Sequence, residues 1–519
     1  MAYALNSSRR RLAGVLTTGL FLWVALLVGA YLFSRLYVVT HFPIFIDEAI
    51  HVDWARATAE SYPAPDPGYD GKWLSVKLFD LAGRPSAPFD ELVAARLLVV
   101  ALGLTTGLAC YLVGRDLFSR RAGVLAAAAY IALPFSVIYS SLAMADGVQL
   151  AFGSWVVFLS VRLARTRGTV YAAALPAALA AAVLAKFSGV VLACVPAAAV
   201  ALLAPRGRRA GAALRALPAL VTPFGLFGLF YRYHLLKIVT QKTGEVPAPI
   251  GEQLWGNLLT AGGWLWALLT PCAALAAAVA LVWLLTRGRS REGWFVLALL
   301  VLAVLPFAAV SRTWYPRYIL GAVFPVALAL GCLLDGVADV SERRRPLAKA
   351  ALPLLAALVL GWPVLRSGAV IFALPKAALP EAERFQFVEG WPSGYGVREL
   401  ADFLRGQAEA TPGGIRVART YWADHPLQSL NIYLTPSPSL DLYTLADEDE
   451  PSVKSLTWLS RKRRTLLVLD TEDGLPQRVR EAAAPLLRCG RPVWSYTRPG
   501  GKTGFVVLEL HCGDTPPAG

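Results

Sequence analysis

The sequence predicts a polytopic α-helical membrane protein with about eleven spans, followed by an α/β domain outside the cytoplasm. Of its 519 residues, 56% are hydrophobic and 16% are charged. Globular domains average about 25% charged residues. Long uncharged stretches recur as far as residue 371, whereas the tail 372–519 alternates strand-like and helix-like segments. Residues 1–371 are therefore predicted to form a transmembrane domain.

The predicted spans are apolar runs close to the roughly 20 residues that a helix needs to cross a bilayer. The pair 170–185 and 188–204 is short for this purpose. It is either two kinked spans that meet at Lys186 or one re-entrant hairpin. The full set is 13–33, 93–113, 122–142, 147–164, 170–185, 188–204, 216–235, 264–285, 294–311, 318–338 and 349–371.

The net charge of +15 comes from short basic clusters between the apolar runs. Such clusters mark cytoplasmic loops. If the N-terminus is cytoplasmic, every cluster falls on the cytoplasmic side, and the tail is outside a plasma or inner membrane. This distribution predicts contact with membrane lipids and argues against nucleic-acid binding. The clusters are Arg9–Arg11, Arg115–Arg121, Arg162–Arg167, Arg206–Arg209, Arg287–Arg291 and Arg343–Arg345.

Hydrophobic periodicity predicts the elements of the tail. They are a helix at Val397–Ala410, a strand at Ile415–Trp422, a strand at Thr465–Asp470, a helix at Gln477–Leu487 and a hairpin from Val493 to His511. Cys489 and Cys512 flank the hairpin, and an extracytoplasmic compartment permits oxidation. We therefore predict a disulfide between them, with two free buried thiols as the alternative.

The first outer loop, 34–92, contains the pair Asp47-Glu48 directly after an apolar, aromatic run. Charges beside the lipid boundary are costly and usually functional. The pair therefore marks a candidate functional site in this loop. The alternative is an amphipathic juxtamembrane helix with a solvated acidic face.

Four other charged residues are predicted on the outer side: Lys77, Asp146, Lys186 and Arg317. Each alone is typical of an interfacial anchor whose charged end reaches water. Together they combine acids with several cations, an arrangement that suits an anionic phosphate at the membrane surface.

The chain resembles the GT-C superfamily, and in particular its protein O-mannosyltransferases and bacterial aminoarabinose transferases. Four segments in order support the resemblance: Asp47-Glu48, Met144-Ala145-Asp146, Lys186 to Gly189, and Arg317-Tyr318 followed by Pro325. The tail segment Gly390–Gly396 is also similar to the periplasmic domain of bacterial members. The chain departs from the family at Lys77, where many members have Lys-Pro-Pro and this chain has Lys-Leu-Phe.

The resemblance implies a GT-C-like fold and transfer of a sugar, with inversion, from a polyprenyl-phosphate carrier to a glycan, lipid or protein acceptor. It implies that Asp47 is the general base and Glu48 its neighbour or a substrate anchor. Arg317, with Lys77 or Lys186, would bind the phosphate. Asp146 and Tyr318 complete the expected substrate-binding residues.

A metal ion is the alternative to these cations. Glu48 and His51 are three residues apart, with Asp47 and Asp53 nearby. A single histidine with scattered carboxylates is a poor zinc site. We therefore expect no required cofactor and assign no metal ligands, with a divalent ion as the alternative.

Two other functions remain open. A lipid-glycan flippase or transporter would need ionisable residues near the membrane midplane, and a membrane scaffold would need no acidic pair beside lipid. Reconstitution separates the three, because a transferase makes a glycosidic bond, a flippase moves lipid unchanged and a scaffold does neither.

Overall fold

A computed structural model describes most of the chain. The described residues are 2–61, 71–83, 88–166, 168–226, 228–229, 250–286, 290–312, 314–343, 353–420, 428–434, 437–445, 450–471, 484 and 486–512. For residues 2–21, 57–61, 88–90, 250, 342–343, 420 and 450–453 only the backbone is described.

The chain divides into two compact units, each built from three separate segments. The helical unit comprises Met1–Thr40, Val99–Ser141 and Asp146–Phe372. The mixed unit comprises His41–Leu98, Leu142–Ala145 and Ala373–Gly519. Residues 41–92 of the first loop therefore belong to the same unit as the tail.

Helices account for most of the described residues. Numbered in chain order, they are α1 (Ala2–His41), α2 (Ile46–Ser61), α3 (Trp73–Gly83), α4 (Pro88–Leu117), α5 (Arg120–Ala132), α6 (Pro134–Tyr139), α7 (Ala145–Arg165), α8 (Thr169–Ala185), α9 (Cys194–Leu203), α10 (Arg209–Leu226), α11 (Ile250–Leu269), α12 (Pro271–Thr286), α13 (Ser290–Val310), α14 (Val323–Arg343), α15 (Trp362–Phe372), α16 (Glu381–Arg384), α17 (Val397–Ala410), α18 (Leu430–Tyr433) and α19 (Glu450–Ser460). Short 3₁₀ segments include Phe187–Ala193 and Pro316–Ala322, and a π-helical turn at Ala357–Gly361 precedes α15.

The predicted class, a helical membrane protein with a C-terminal α/β region, is confirmed. Among the described residues, six helices are long and apolar enough to cross a membrane, or seven if one bent pair is a single span. The total of about eleven spans stays a prediction. The six are Leu22–His41, Glu91–Leu117, Ala145–Arg165, Ser290–Val310, Pro316–Ser341 and Pro353–Phe372.

Two predicted spans are broken in the structure. The predicted span 264–285 includes a sharp bend, because α11 and α12 meet at an angle of 113° around Thr270, whose φ is 73°. Pro271 lacks an amide hydrogen and disfavours helical geometry in the residue before it. The predicted span 122–142 is similarly interrupted at Leu133, before Pro134.

The first helix continues to His41, eight residues beyond the predicted end of the first span, and includes a fully buried arginine. The Arg35 guanidinium donates to Ser140 Oγ at 3.1 Å, to Ser136 Oγ at 2.9 Å and to the Ile131 carbonyl at 2.9 Å. These acceptors satisfy the donors of a buried charge. Residues 170–204 form two short apolar helical segments, Thr169–Ala185 and Phe187–Leu203.

Small residues bring helices of the helical unit into close contact. At Gly331 in α14, a Cβ atom would lie 2.5 Å from the Ala122 carbonyl oxygen and 2.6 Å from the Ala126 nitrogen of α5. Glycine at this position therefore permits backbone-to-backbone packing, which is common between membrane helices.

The mixed unit contains a five-stranded sheet in the order β2-β1-β3-β5-β4. The strands are β1 (Ile415–Thr420), β2 (Leu440–Leu445), β3 (Thr465–Asp470), β4 (Gly490–Thr497) and β5 (Gly504–Leu510). Strands β2, β1 and β3 are parallel, with Arg416 aligned with Asp441 and with Thr465, whereas β3, β5 and β4 are antiparallel. Buried residues of β1, β3 and β5, including Ala418, Leu467 and Leu508, form the core.

Most of the predicted tail elements are confirmed. The helix Val397–Ala410 and the strand Thr465–Asp470 have the predicted bounds, and the hairpin begins three residues earlier than predicted. Cys489 and Cys512 form the predicted disulfide, with Cα atoms 5.2 Å apart. The predicted helix 477–487 lies mostly outside the described residues, as does the end of the predicted span 216–235.

Candidate active site

The acidic pair lies in the first turn of α2, and Glu48 caps this helix. Its Oε2 accepts the Phe45 amide hydrogen at 3.0 Å, while the Phe45 carbonyl accepts from the Glu48 and Ala49 amides. This is the glutamate half of a capping box, in which the third helical residue reaches back to the N-cap amide. The local sequence therefore specifies where α2 begins.

Glu48 is also fully buried, and both of its oxygens are used by donors. Oε1 accepts from Arg96 Nε at 2.8 Å and from the Ala143 amide at 2.7 Å, and Oε2 accepts from Arg96 Nη2 at 2.7 Å in addition to Phe45. A carboxylate has about four lone-pair positions. All four are used, so Glu48 has no capacity left to accept a substrate proton.

Both backbone polar groups of Ala143 form hydrogen bonds with side chains of α2. Its amide donates to Glu48, and its carbonyl lies 3.1 Å from Nδ1 of the buried His51. Because a carbonyl can only accept, Nδ1 is assigned the proton. The segment Leu142–Ala145 is thereby fixed against α2.

Asp47 is the partly exposed member of the acidic pair. It is the second residue of α2, where the helix dipole favours a carboxylate. Lys77 is also partly exposed and lies on α3, which packs against α2. The mixed unit therefore contains three of the predicted residues: Asp47, Glu48 and Lys77.

In the helical unit, Asp146 and Lys186 form an ion pair, with Nζ 2.5 Å from Oδ1. Asp146 lies in the first turn of α7 and Lys186 follows the last residue of α8. An acid at a helix N-terminus and a cation at a helix C-terminus are both favoured by the helix dipoles. The two helix ends therefore stabilise the pair.

The Lys-x-x-Gly pattern has a geometric reason. After Lys186 the backbone turns into a 3₁₀ segment, and the Gly189 amide donates to the Lys186 carbonyl at 2.8 Å. A Cβ atom on Gly189 would lie 2.4 Å from the Ala182 carbonyl oxygen. Only glycine fits the turn that places Lys186 at the end of α8.

Aromatic rings surround the cations of the helical unit. Lys186 Nζ lies 5.1 Å from the centre of the Tyr318 ring. The Arg317 guanidinium lies 4.6 Å from the Tyr315 ring and 5.8 Å from the Tyr318 ring. These distances are within cation–π range. Tyr318 therefore brings Lys186 and Arg317 into one cluster with Asp146.

Three residues of this cluster, Asp146, Arg317 and Tyr318, line a cavity whose other lining residues are mostly apolar. On α7 the sequence runs from Asp146 and Gln149 to Leu150 and Val157. Ser188, whose Oγ is 3.2 Å from Gln149 Oε1, begins a second segment. The full set of polar lining residues is Asp146, Gln149, Ser154, Ser188, Arg317 and Tyr318, and Leu192, Leu299, Phe307 and Phe324 are among the apolar ones. The cavity suits an amphiphile with an anionic head.

The sequence analysis did not identify Arg96 as a site residue. The signal was present, because Arg96 is a charge inside the predicted span 93–113, and charges within spans are usually paired or functional. Within the described ranges no group of three or more His, Cys, Asp and Glu residues could hold a metal ion.

Comparison with protein families finds a match over part of the chain. The family model of dolichyl-phosphate-mannose-protein mannosyltransferases matches residues 88–230. A comparison with curated proteins finds no match.

Solved structures match nearly the whole chain. Apo ArnT from Cupriavidus metallidurans is 16% identical with a TM-score of 0.58, and covers 95% of this chain and 98% of its own. The same protein bound to undecaprenyl phosphate is 17% identical, with a TM-score of 0.55 and the same coverage. The oligosaccharyltransferase AglB from Archaeoglobus fulgidus, in complex with an inhibitory peptide and a dolichol-phosphate, is 13% identical with a TM-score of 0.54, covering 96% of this chain and 75% of its own.

Proposed function

Because this chain is a multi-pass membrane protein with the fold of GT-C glycosyltransferases, we propose that it transfers a sugar from a polyprenyl-phosphate carrier to an acceptor hydroxyl. The observation that best supports this is the cavity of the helical unit, where Arg317 and Tyr318 accompany an apolar lining. Lys186 lies beside two of the lining residues, Asp146 and Tyr318. Cations suit the phosphate of such a donor, and apolar side chains suit its prenyl chain. The structures of similar fold that contain undecaprenyl phosphate or dolichol-phosphate support the same class of donor.

In the proposed reaction the acceptor oxygen attacks the anomeric carbon while the bond from that carbon to the phosphate oxygen breaks. The configuration inverts, and the polyprenyl phosphate leaves with the electron pair. Asp47 takes the proton of the acceptor hydroxyl, as a positioned carboxylate does in general-base catalysis. Arg317 and Lys186, with Lys77 as a further cation, stabilise the charge that develops on the phosphate.

Glu48 and Asp146 have supporting roles in this proposal. The four hydrogen bonds of Glu48 fix the start of α2, which positions Asp47. Asp146 binds Lys186 and orients its ammonium group. We propose that side-chain cations neutralise the phosphate without a metal cofactor, and we expect transfer to persist in EDTA. The acceptor is a glycan, a lipid or a protein.

We also propose that the N-terminus is cytoplasmic and that the tail after residue 372 is outside the plasma or inner membrane. The basic clusters support this orientation through the positive-inside rule. The exposed Ser439 on the tail offers a reporter position. In Ser439→Cys, an impermeant thiol reagent should label intact cells. Labelling that appears only after lysis would show that the tail is cytoplasmic and would contradict the proposed orientation.

The decisive test of the function is Asp47→Asn, assayed in liposomes with a polyprenyl-phosphate sugar. The substitution keeps the shape of the side chain but removes the proton acceptor. We expect transfer to fall by about 10²–10⁴-fold, with donor binding retained. Asp402→Asn is the matched control, because Asp402 is an exposed carboxylate on α17. A wild-type protein that moves the lipid without making a glycosidic bond would instead be a flippase. Full activity of Asp47→Asn would show that Asp47 is not the general base.

A further inference from the structure

Asn431 in α18 uses both its side chain and its backbone to contact other parts of the mixed unit. Its Nδ2 donates to Asp53 Oδ1 at 3.1 Å, and its Oδ1 accepts from Arg419 Nη1 at 2.5 Å. Its carbonyl accepts from Arg56 Nη1 at 2.6 Å. A carboxylate only accepts and a guanidinium only donates, so the orientation of the Asn431 amide is determined.

Two of these partners belong to α2, the helix that carries Asp47. Asp53 and Arg56 are three residues apart, so they lie on one face of the helix. Arg56 also donates to Glu91 Oε2 at 2.7 Å. Burial raises the pKa of Asp53, and the bond from Asn431 opposes that rise. The C-terminal part of α2 is therefore held by a network centred on Asn431.

The tail also holds the N-terminal end of α2. The Ile46 amide donates to the Pro392 carbonyl at 3.2 Å, and the Phe45 and Phe387 rings lie 4.9 Å apart. A Cβ atom on Gly394 would lie 1.8 Å from the Ile44 carbonyl oxygen, so only glycine permits this approach. Two separate parts of the tail thus contact α2, one at its N-terminal end and one at Asp53 and Arg56, further along the helix.

We infer that the tail is a positioning element for the proposed base, and that Asn431 is its specific positioning residue. This inference rests on the proposed function. Asp47 and Asp53 lie about 9 Å apart along one rigid helix, at 1.5 Å per residue. The bond from Asn431 to Asp53 therefore contributes, with the hydrogen bonds of Glu48, to the rotation of α2 and to the direction of Asp47. A displacement of a reacting group by about 1 Å can cost about 10²-fold in rate.

The test compares Asn431→Asp with the double variant Asp53→Asn/Asn431→Asp. The single variant keeps the size of the side chain but removes the donor and sets two carboxylates against each other. The double variant restores a donor and an acceptor with the positions exchanged. We expect Asn431→Asp to lower kcat by about 10–100-fold, with the donor KM changed by less than about threefold. The double variant should recover to within about fivefold of wild type.

A second readout is independent of activity. Hydrogen exchange of the α2 amides, measured by mass spectrometry on the full chain, should be faster in Asn431→Asp and restored in the double variant. Arg405→Ala is the control, because it removes only an exposed ion pair with Asp402. If Asn431→Asp does not give monodisperse protein, Asn431→Ala tests the same expectation, since it removes the side-chain bonds without adding charge.

The inference fails if the single variant has wild-type kcat and wild-type exchange. It also fails if a folded double variant stays as impaired as the single variant. Neither result bears on the proposed function, which depends on transfer by the wild-type protein. If the wild-type protein makes no glycosidic bond, the proposed function fails, and altered exchange in α2 would then show a structural contact only.

Discussion

Two buried ion pairs of this chain differ in how their carboxylates are satisfied. Glu48, in the mixed unit, has no exposed side-chain surface and accepts four hydrogen bonds, two from Arg96 and two from backbone amides. Asp146, in the helical unit, also pairs with a cation, but it lines a cavity, and the side chain of its partner Lys186 is 15% exposed. The same chemical pair can therefore fix a helix or present a charge to a ligand. The number of backbone donors and the presence of a cavity distinguish the two cases.

The largest effect is expected for Arg96→Met. The substitution leaves the Glu48 carboxylate buried without its cation, and such losses cost about 3–5 kcal/mol of stability. We expect a clearly lower Tm of the purified protein. The matched control is Arg405→Met, whose exposed pair should contribute at most about 1 kcal/mol. In Glu48→Gln/Arg96→Met part of the stability should return, because no unpaired charge remains. Equal Tm values for Arg96→Met and the control would contradict the structural role of the pair.

Lys186→Met should lower stability less than Arg96→Met does. Its main effect should be weaker binding of the donor. Loss of one charge-assisted contact to phosphate corresponds to about 1.5–3 kcal/mol, or about 10–100-fold in donor affinity. We expect a higher donor KM and a smaller decrease in Tm than in Arg96→Met, because Asp146 lines a cavity that water can enter. In Asp146→Asn, which keeps the charge of Lys186 but removes the carboxylate that orients it, the donor KM should rise less than in Lys186→Met. A Tm decrease in Lys186→Met as large as that of Arg96→Met would show that the two ion pairs contribute equally to stability.

The elements that the sequence predicted best are those whose signal is local. The amphipathic helix Val397–Ala410 and the apolar strand Thr465–Asp470 have the predicted bounds, because each shows the period of its own secondary structure. The bend at Thr270 was missed, since hydropathy alone does not register a residue with positive φ before a proline. The continuation of α1 beyond residue 33 was missed because Arg35 is satisfied by Ser136 and Ser140, about a hundred residues away.

In the candidate site, too, the local sequence predicted some features, whereas others depend on residues far apart in the chain. The acidic pair was identified from its position after an apolar run, but the difference between Asp47 and Glu48 depends on Arg96 and Ala143. Both lie far along the chain, so spacing alone could not assign different roles to the two acids. Asp146 and Lys186 were each singled out, yet their pairing follows from the packing of two helix ends.

The bond between Asp53 and Asn431 joins residues that are 378 positions apart. At a translation rate of about 5–20 residues per second, Asn431 emerges from the ribosome roughly 20–75 s after Asp53. During that interval α2 has neither Asn431 nor Pro392 as a partner. The complete set of contacts around α2 can form only after synthesis has passed Asn431. A nascent chain that stops before this point would contain Asp47 and the contacts of Glu48, but it would lack the contact of Asn431 with α2.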